Sequence, residues 1–289
     1  MHLRYPEVVI ISDIHLGTFG CHAKELIQYL DSIRPNILIL NGDIMDMWNF
    51  RKSYFPITHT EVIRKIFKMA GKGVKVYYIP GNHDEILRKY LSFKLGNIKI
   101  VEKLIMTLDE KKYWIFHGDV FDATTKGSAK LIAKLGGKGY DLLILFNSFI
   151  NAALKLIGKK KMSFSKKIKN SVKRAIAWID NFENTAISLA IEEKFDYVIC
   201  GHIHQPQIRT ESKKGRSTTY MNSGDWIENL TALEYKDKEW AIYHYNKKDY
   251  IKVHPKTADP KENIIPNLVL KNKSRRKVSE LMKLFPKEP

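Results

Sequence analysis

The stretch VKVYYIPGNHD, residues 74–84, joins a short apolar run to a turn that carries a high density of hydrogen-bonding side chains. Its first six residues are rich in β-branched and aromatic types, which predicts a strand. Pro80 and Gly81 then predict a tight turn at the end of that strand. The polar residues that follow are Asn82, His83, Asp84 and Glu85. A strand that ends in an amide, an imidazole and two carboxylates indicates a ligand site.

Two strands of the same design precede this one, and helices separate the three. The runs at residues 7–12 and 37–43 are short, apolar and rich in Ile, as buried parallel strands are. Residues 23–33 and 58–73 carry apolar side chains at helical spacing. This alternation predicts an α/β fold with a parallel sheet. Further strands or hairpins are predicted at residues 98–119, 197–210, 217–226 and 232–246, with the last hairpin turning around 236–239.

The composition fits one large α/β domain, alone or with an appendage. Of the 289 residues, 44% are hydrophobic, which is enough for a sizeable core. Cys21 and Cys200 do not imply a disulfide framework, and we interpret them as reduced thiols of a cytosolic protein. The first residues lack the features of a signal peptide. The longest apolar stretch, residues 142–157, is interrupted by polar residues and too short to span a bilayer, so it predicts an amphipathic or buried helix.

A formal net charge of +18 predicts an attraction to polyanions, whether nucleic acid, anionic lipid headgroups or phosphorylated substrates. Two regions are especially rich in lysine. Residues 123–194 have a helical period and are interpreted as a helical insertion into a domain that spans residues 1–253. Residues 254–289 form a basic tail, which is either a membrane-surface segment or a solubilising extension.

The insertion itself allows two interpretations. Apolar residues recur near helical spacing along it, at Phe164, Ile168, Val172, Ile176 and Ile179. Either this helix packs on the body with its lysines in solvent, or it is a lid whose apolar face holds acyl chains while its cations meet phosphates or headgroups. The candidate substrate-binding cations are Lys166, Lys167, Lys169, Lys173 and Arg174.

Five apolar runs share one design, because each ends in residues of the types that bind metals. In open α/β sheets, sites form beyond the carboxyl ends of the strands, so these ends are expected to converge on one edge. The residues are Asp13 and His15 in ISDIH, Asp43 in NGDIMD, Asn82 in GNHD, His117 in FHGD, and His202 and His204 in CGHIH. Each segment alone has an ordinary explanation as a turn or a helix cap. Their joint occurrence at strand ends favours a metal site.

The donor types narrow the kind of metal site. Carboxylate, amide and imidazole donors suit Mn²⁺, Fe, Zn²⁺ or Ni²⁺ better than Ca²⁺, and the candidate ligands include no thiolate that would build a closed structural zinc site. The seven candidate ligands are too many for one transition-metal ion but suit two, provided that one carboxylate is shared. Two cations about 4 Å apart can clamp a phosphate and activate water, which predicts phosphoryl chemistry.

The ordered set D-x-H, GD, GNHD, H and GHxH resembles the calcineurin-like metallophosphoesterase superfamily over residues 8–246. The resemblance implies a four-layer α/β/β/α sandwich and two metal ions. One ion would be held by Asp13, His15, Asp43 and His204, and the other by Asp43, Asn82, His117 and His202. His83 would stabilise the scissile phosphate or protonate the leaving oxygen, and Asp84 would either orient His83 or cap the turn. Asp119 and Asp122 would support His117 or the lid.

A closer resemblance is to the UDP-2,3-diacylglucosamine pyrophosphatase group of this superfamily, on the segments SDIHLGTFGCHAKELIQYL, NGDIMDMW, HGDVFD, GHIHQP and NSGDWIENLTAL. It implies an Mn²⁺-dependent hydrolase that makes lipid X and UMP in lipid A synthesis, carries a helical lid, and works at the inner face of the cytoplasmic membrane. The best-known branch has Arg at the position of His83. This difference leaves open a general phosphoesterase of nucleotides, cyclic nucleotides or nucleic acid.

A binding protein is the alternative from another class: a scaffold on anionic membranes or protein partners, with vestigial catalysis. The intact motif set argues against it, because a scaffold has no need of His83 beside seven ligands. Nucleic acid is also disfavoured as a partner, since the sequence has no row of aromatic residues at even spacing for base stacking. The expected partners are a lipid-nucleotide substrate and an anionic membrane surface. The sequence makes no prediction of oligomeric state.

Overall fold

The computed structural model describes residues 3–48, 54–124, 166–213 and 215–250, with the backbone alone for 122–124 and 166–177. These residues contain two β-sheets that face one another and helices on both outer sides. The strands are β1 (Val8–Ile11), β2 (Ile37–Asn41), β3 (Lys75–Ile79), β4 (Lys94–Leu95), β5 (Ile98–Ile100), β6 (Leu104–Leu108), β7 (Lys111–Ile115), β8 (Tyr197–Cys200), β9 (Gln207–Lys213), β10 (Arg216–Asn222), β11 (Thr231–Lys236) and β12 (Glu239–His244).

The first sheet has the strand order β12-β11-β1-β2-β3-β5-β4. Strands β1, β2, β3 and β5 run parallel, as the alternation of strand and helix in the sequence predicts. Strands β11 and β12 form the antiparallel hairpin predicted around 236–239, with Lys236 opposite Glu239. The short strand β4 pairs antiparallel with β5 and forms one edge of the sheet.

The second sheet has the order β6-β7-β8-β10-β9. Its central strands β7, β8 and β10 are parallel, and the outer strands β6 and β9 pair antiparallel with them. The parallel strands of the two sheets include all five of the apolar runs that end in candidate ligands. This placement is the reason that those ends can meet.

In the part of the chain that the structure describes, three α-helices flank the sheets: α1 (Ala23–Asp31), α2 (Ile57–Gly71) and α3 (Lys166–Glu192). Short 3₁₀ helices lie at Glu85–Tyr90, Asp119–Thr124 and Lys247–Tyr250. Helices α1 and α2 agree with the predicted ranges to within two residues, a difference that is usual at helix ends. Among the described residues, no helix is long and apolar enough to cross a membrane.

Alternate residues of β1 divide the core into layers. Val9 and Ile11 pack towards helices α1 and α2, whereas Val8 and Ile10 pack into the space between the sheets. A third core lies on the outer face of the second sheet, where Phe182 of α3 packs with residues of β8 and β10. Because helices cover both outer sheet faces, the four-layer α/β/β/α sandwich is confirmed.

Helix α3 shows how the predicted insertion meets the sandwich. Its later residues, including Phe182, Ala186 and Ala190, are buried against the second sheet and form the fourth layer. This part of the range 123–194 therefore belongs to the core of the domain. The predicted helix at 142–157 and the tail 254–289 lie outside the described residues, and the lid remains a prediction.

Candidate metal centre

The candidate ligands follow the carboxyl ends of parallel strands, as predicted. Strands β1, β2 and β3 of the first sheet lead into the loops with Asp13, Asp43 and Asn82. Strands β7 and β8 of the second sheet lead into those with His117 and His202. The loops after β1 and β2 stay paired, since Asp13 N–H donates to Gly42 O over 3.0 Å and His15 N–H donates to Asp43 O over 2.9 Å. The two sheets thus bring all five loops to one edge of the sandwich.

Five of the seven candidate ligands have left-handed backbone conformations. Their φ angles are 52° for Asp13, 53° for His15, 53° for Asp43, 68° for His202 and 54° for His204. Residues other than glycine rarely adopt this region, and each instance costs on the order of 1–3 kcal/mol. The surrounding fold holds these residues in a strained state that aims their side chains at one point. Backbone strain concentrated at candidate ligands is a property of functional sites.

The side chains form three overlapping groups with metal-ligand chemistry, and within each group the donor atoms lie within 4.8 Å of one another. Two ligands of one ion, each about 2.1 Å from it, are about 3–4 Å apart, so the spacing suits shared ions. Asp43 belongs to two of the groups, which is the position expected of a bridging carboxylate. The groups are Asp13, His15 and His204; His15, Asp43 and His83; and Asp43, His117 and His202.

His117 is held with one nitrogen facing Asp43. Its Nδ1 lies 2.8 Å from the carbonyl oxygen of Asn41, which fixes the ring and leaves Nε2 at 3.3 Å from Asp43 Oδ2. Burial disfavours the imidazolium, but the charge and hydrogen bond of Asp43 outweigh burial and raise the pKa of His117 to about 10. A histidine whose second nitrogen binds a backbone carbonyl is typical of metal ligands.

His204 and Asp13 form the corresponding pair at the other side of the centre. His204 Nε2 lies 3.1 Å from Asp13 Oδ1, and the Asp13 carboxylate is fully buried. Burial again opposes the charge on the imidazole, but Asp13 outweighs burial and raises the pKa of His204 to about 9. Asn229 Nδ2 donates to the carbonyl oxygen of His204 over 2.9 Å and so braces this ligand from the loop after β10.

Buried polar atoms without hydrogen-bond partners provide a test of whether metals fit the site. Within the described part of the chain, four of the seven candidate ligands contain such an atom: Asp13 Oδ1, His15 Nε2, Asn82 Oδ1 and His117 Nε2. Asp13 Oδ1 and His117 Nε2 each lie near a charged group, at 3.1 and 3.3 Å, but outside good hydrogen-bond geometry. A buried carboxylate or amide oxygen without a donor is costly, and native proteins seldom leave one so. Each of these atoms is a good ligand for a divalent cation, so the donor set fits metal binding.

The sequence predicts Gly81 as part of a tight turn. The structure gives a second reason for glycine, because the loops with Asp43 and His117 lie directly against this position. A Cβ atom at this position would overlap Asp43 Oδ1 and would lie 2.6 Å from His117 Nε2. Only glycine lets the strand end of β3 approach the centre this closely.

The carboxylate beside His83 belongs to Asp46 and not to Asp84. Asp46 Oδ1 lies 3.1 Å from His83 Nδ1, and Asp46 Oδ2 lies 3.4 Å from His15 Nδ1. Burial lowers the pKa of His83, but Asp46, together with the charges of Asp43 and Asp13, outweighs burial and raises it. The segment NGDIMD contains Asp46 three residues after Asp43, yet nothing in its spacing shows which imidazole it contacts.

Asp84 braces the turns that carry the ligands, which is the capping role considered for it as an alternative. Its buried carboxylate accepts hydrogen bonds from Gly81 N–H at 2.6 Å, Ile44 N–H at 2.9 Å and Tyr78 O–H at 2.6 Å. It also receives weaker bonds from Asp43 N–H at 3.4 Å and Met45 N–H at 3.3 Å. These bonds tie the loop after β2 to the loop after β3, so orienting His83 is not the function of Asp84.

An ion pair that the sequence did not predict joins two ligand loops. Arg88 Nη2 lies 2.9 Å from both carboxylate oxygens of Asp119 and 3.0 Å from the carbonyl oxygen of Pro80. Asp119 follows His117 by two residues, and Pro80 precedes Asn82 by two. Arg88 therefore ties the loop of Asp119 to the loop of Asn82, and the support of His117 by Asp119 stays a prediction. No spacing signal in the sequence connects residues 31 positions apart in this way.

The remaining predicted site residues lie where the structure describes no side chains. Helix α3 contains the candidate substrate cations in its first half, where only the backbone is described, and the side chain of Asp122 is likewise not described. Those cations are Lys166, Lys167, Lys169, Lys173 and Arg174. Their contacts with a substrate remain predictions.

Comparisons with known proteins identify the family of the chain. A family model for calcineurin-like phosphoesterases matches residues 6–206. A UDP-2,3-diacylglucosamine hydrolase from Aliivibrio fischeri (strain MJ11) is 26% identical over 247 residues, which cover 84% of this chain and 99% of the relative. The enzyme of the same name from Escherichia coli O81 (strain ED1a) is 26% identical over 244 residues, covering 82% and 98%.

Solved structures show more distant likeness. A phosphoesterase from E. coli is 13% identical, covers 83% of this chain and 99% of its own, and has a TM-score of 0.37. An archaeal phosphodiesterase is 14% identical, with coverage of 82% and 98% and the same TM-score of 0.37. The family model spans every candidate ligand from Asp13 to His204. The chain belongs to the calcineurin-like phosphoesterase family and is a hydrolase of phosphate esters.

Proposed function

We propose that the protein hydrolyses the pyrophosphate bond of UDP-2,3-diacylglucosamine to UMP and 2,3-diacylglucosamine 1-phosphate, the lipid X of lipid A synthesis, with two divalent cations. The observation that carries the proposal is the position of Asp43, which faces His117 on one side and approaches His15 to 4.0 Å on the other. A carboxylate between two ligand groups is what a dinuclear centre requires. The named substrate is supported by relatives that match nearly their whole length to this chain.

The chain's own residues divide into two ligand sets that share Asp43. One ion would be held by Asp13, His15, Asp43 and His204, and the other by Asp43, Asn82, His117 and His202. Such a pair supplies positive charge for phosphate oxygens and lowers the pKa of water. Oxygen and imidazole donors suit Mn²⁺, Fe, Zn²⁺ and Ni²⁺. We favour Mn²⁺ among these because the pyrophosphatase group that the sequence resembles uses it.

His83 is proposed as the proton donor or phosphate-stabilising group beside this centre. Its Nδ1 faces Asp46, so Nε2 is the atom available to the scissile phosphate or the leaving oxygen. Against burial, Asp46 and the neighbouring carboxylates raise the pKa of His83, which favours the protonated form that such a role needs. The indole of Trp48, which is 55% exposed, lies 4.6 Å from the His83 ring and offers an apolar surface for a uracil ring or an acyl chain.

We also propose that the enzyme works on the inner face of the cytoplasmic membrane, where a lipid substrate of this kind is reached. The net charge of +18 supports attraction to anionic headgroups. A second candidate function is hydrolysis of simpler phosphodiesters such as nucleotides or cyclic nucleotides. The presence of His at position 83, where the lipid-pyrophosphatase branch has Arg, favours this alternative.

The test is an assay of the full chain with added Mn²⁺, comparing UDP-2,3-diacylglucosamine, a chromogenic phosphodiester and single-stranded DNA. We expect UMP release from the lipid substrate to be the fastest reaction. His117→Ala should abolish that release, whereas Asp31→Asn, on the exposed side of α1, should leave it unchanged. Cleavage of the DNA alone, or of the chromogenic diester alone, would overturn the assignment of substrate.

A further inference from the structure

Large apolar side chains are concentrated on the surface of one short segment. Between residues 86 and 95, five such side chains are exposed, and they are Ile86 (50%), Tyr90 (57%), Leu91 (37%), Phe93 (53%) and Leu95 (53%). Single exposed apolar residues are ordinary, but five within ten consecutive residues indicate an interaction surface. We name residues 86–99 the docking segment.

The backbone holds these side chains in place. The segment begins in the 3₁₀ helix Glu85–Tyr90 and continues into β4 at the edge of the first sheet. Between them, Ser92 N–H donates to Ile100 O, and Ile100 N–H donates to Phe93 O, each over 3.0 Å. These bonds fix the exposed apolar groups against the neighbouring strand, so their exposure is not that of a loose chain end.

Positive charges stand among the apolar groups. Lys89, Lys94 and Lys99 are exposed, and within the described residues none of their ammonium groups has a hydrogen-bond or ion-pair partner. Arg88, in contrast, is engaged with Asp119 and Glu102. The free cations are therefore available to an external anion. Apolar groups with long-stemmed cations between them suit the boundary between acyl chains and anionic headgroups.

We propose that the docking segment binds the surface of an anionic phospholipid bilayer. The segment starts three residues after His83, and Arg88 links it to Asp119 beside His117, so a docked segment would bring the centre close to the lipid. The proposal names the surface through which the enzyme would reach its lipid substrate, and in this respect it rests on the proposed function. Its test does not depend on hydrolysis.

Two other occupants fit the same segment less well. A second copy pairing with the edge strand would find only two residues in β4, one of them Lys94, and short charged edges disfavour sheet extension. Single-stranded nucleic acid would use Tyr90 and Phe93 for stacking, but the aliphatic Ile86, Leu91 and Leu95 offer no stacking surface. A bilayer is the partner that uses both the aliphatic groups and the lysines.

Vesicle flotation with the full chain tests the proposal. Binding to phosphatidylcholine vesicles containing phosphatidylglycerol should exceed binding to phosphatidylcholine alone. The variant Tyr90→Ser/Phe93→Ser/Leu95→Ser should lower the partition coefficient by about tenfold or more, because it removes three insertable side chains. The variant Lys89→Gln/Lys94→Gln/Lys99→Gln should lower binding to the anionic vesicles by about a hundredfold.

A matched control removes exposed apolar side chains elsewhere. Tyr5→Ser/Phe67→Ser/Ile208→Ser replaces groups that are 62%, 49% and 40% exposed on three other elements, and it should bind vesicles as the unaltered chain does. All three variants should cleave the chromogenic diester at the unaltered rate, which shows that they fold.

Equal vesicle binding by the docking-segment variants and the unaltered chain would overturn the proposal. So would loss of self-association or of single-stranded DNA binding in those variants without loss of vesicle binding. Vesicle binding that depends on the segment, with no cleavage of the lipid substrate, would refute only the proposed function.

Discussion

Replacing Asp46 by Asn removes the negative charge that stands beside His83 without a large change of shape. Asp46 Oδ1 lies 3.1 Å from His83 Nδ1, and the Asp46 side chain is only 2% exposed. We expect the pKa of His83 to fall towards its ordinary value, so that less of the protonated form is present at neutral pH. The variant should therefore lose turnover, and the loss should grow as the pH rises.

The size of the loss follows from the geometry. At an effective dielectric constant of about 20, two unit charges at this separation interact by about 5 kcal/mol. The amide dipole of Asn and partial exposure of the His83 ring offset roughly half of that. A remainder of about 2.7 kcal/mol between the two charge states of His83 corresponds to an about hundredfold smaller ratio of protonated to neutral ring. The loss of kcat should therefore be small at low pH and approach about hundredfold only at a pH above the His83 pKa of both enzymes.

The assay measures kcat against pH at saturating Mn²⁺. Saturation matters because Asp46 also lies 3.4 Å from His15 Nδ1, and its loss should weaken metal binding by about tenfold or more. Asp31→Asn, whose carboxylate pairs with Lys65 on the helical face, is the matched control. An Asp46→Asn enzyme with the unaltered kcat and pH profile would refute the pairing of Asp46 with His83 as the proton-donating unit.

Asp84→Ala removes the buried acceptor of five hydrogen bonds and should lower the free energy of unfolding by about 3 kcal/mol or more, as measured by denaturant titration. Arg88→Ala should weaken Mn²⁺ binding, and Arg88→Lys should restore it only partly, because a single ammonium cannot replace both the Nη2 contacts with Asp119 and Pro80 and the Nε contact with Glu102. Equal affinity in the unaltered chain and both variants would exclude a positioning role for Arg88. His117 and His204, with pKa values raised to about 10 and about 9, are protonated at neutral pH in the metal-free protein, so Mn²⁺ binding should release about two protons in calorimetry across buffers. The stability that these raised pKa values add to the metal-free protein should be complete below pH 6.5 and lost as the pH rises through 9 to 10, as a falling melting temperature would show.

The strands and their ends could be predicted because local pattern and topology point the same way. The apolar run of β1 is buried on both faces, as a central parallel strand must be, and its carboxyl end carries Asp13. The same reasoning placed His117 and His202, although these follow strands of a second sheet. Ligand types at strand ends are a strong signal because topology alone brings such ends together.

Contacts between side chains of different loops could not be predicted in the same way. Asp46 and Asp84 lie in segments with similar polar composition, and only the folded arrangement shows that Asp46 reaches His83 while Asp84 turns to backbone donors. The link between Arg88 and Asp119 depends on two loops from different sheets. For helix α3, the helical spacing of apolar residues fits both a lid and a helix packed on the body. Only the folded chain shows that its later residues form the outer layer of the sandwich.

The docking segment illustrates the opposite limit. Its apolar residues follow a polar turn and alternate with lysines, a pattern that the sequence offers equally to a half-buried strand. Exposure is a property of the folded chain, because it depends on which neighbours cover each side chain. The sequence therefore predicts the chemistry of this segment but not its place on the surface.

Metal content is the most direct test of the central claim that Asp43 joins two ligand sets. The full chain, stripped with a chelator and dialysed against Mn²⁺, should retain two ions per chain by elemental analysis, and Asp43→Ala should lose most of both. Asp31→Asn should retain the same content as the unaltered chain. A single ion in the unaltered chain, or an unchanged content in Asp43→Ala, would contradict the dinuclear account.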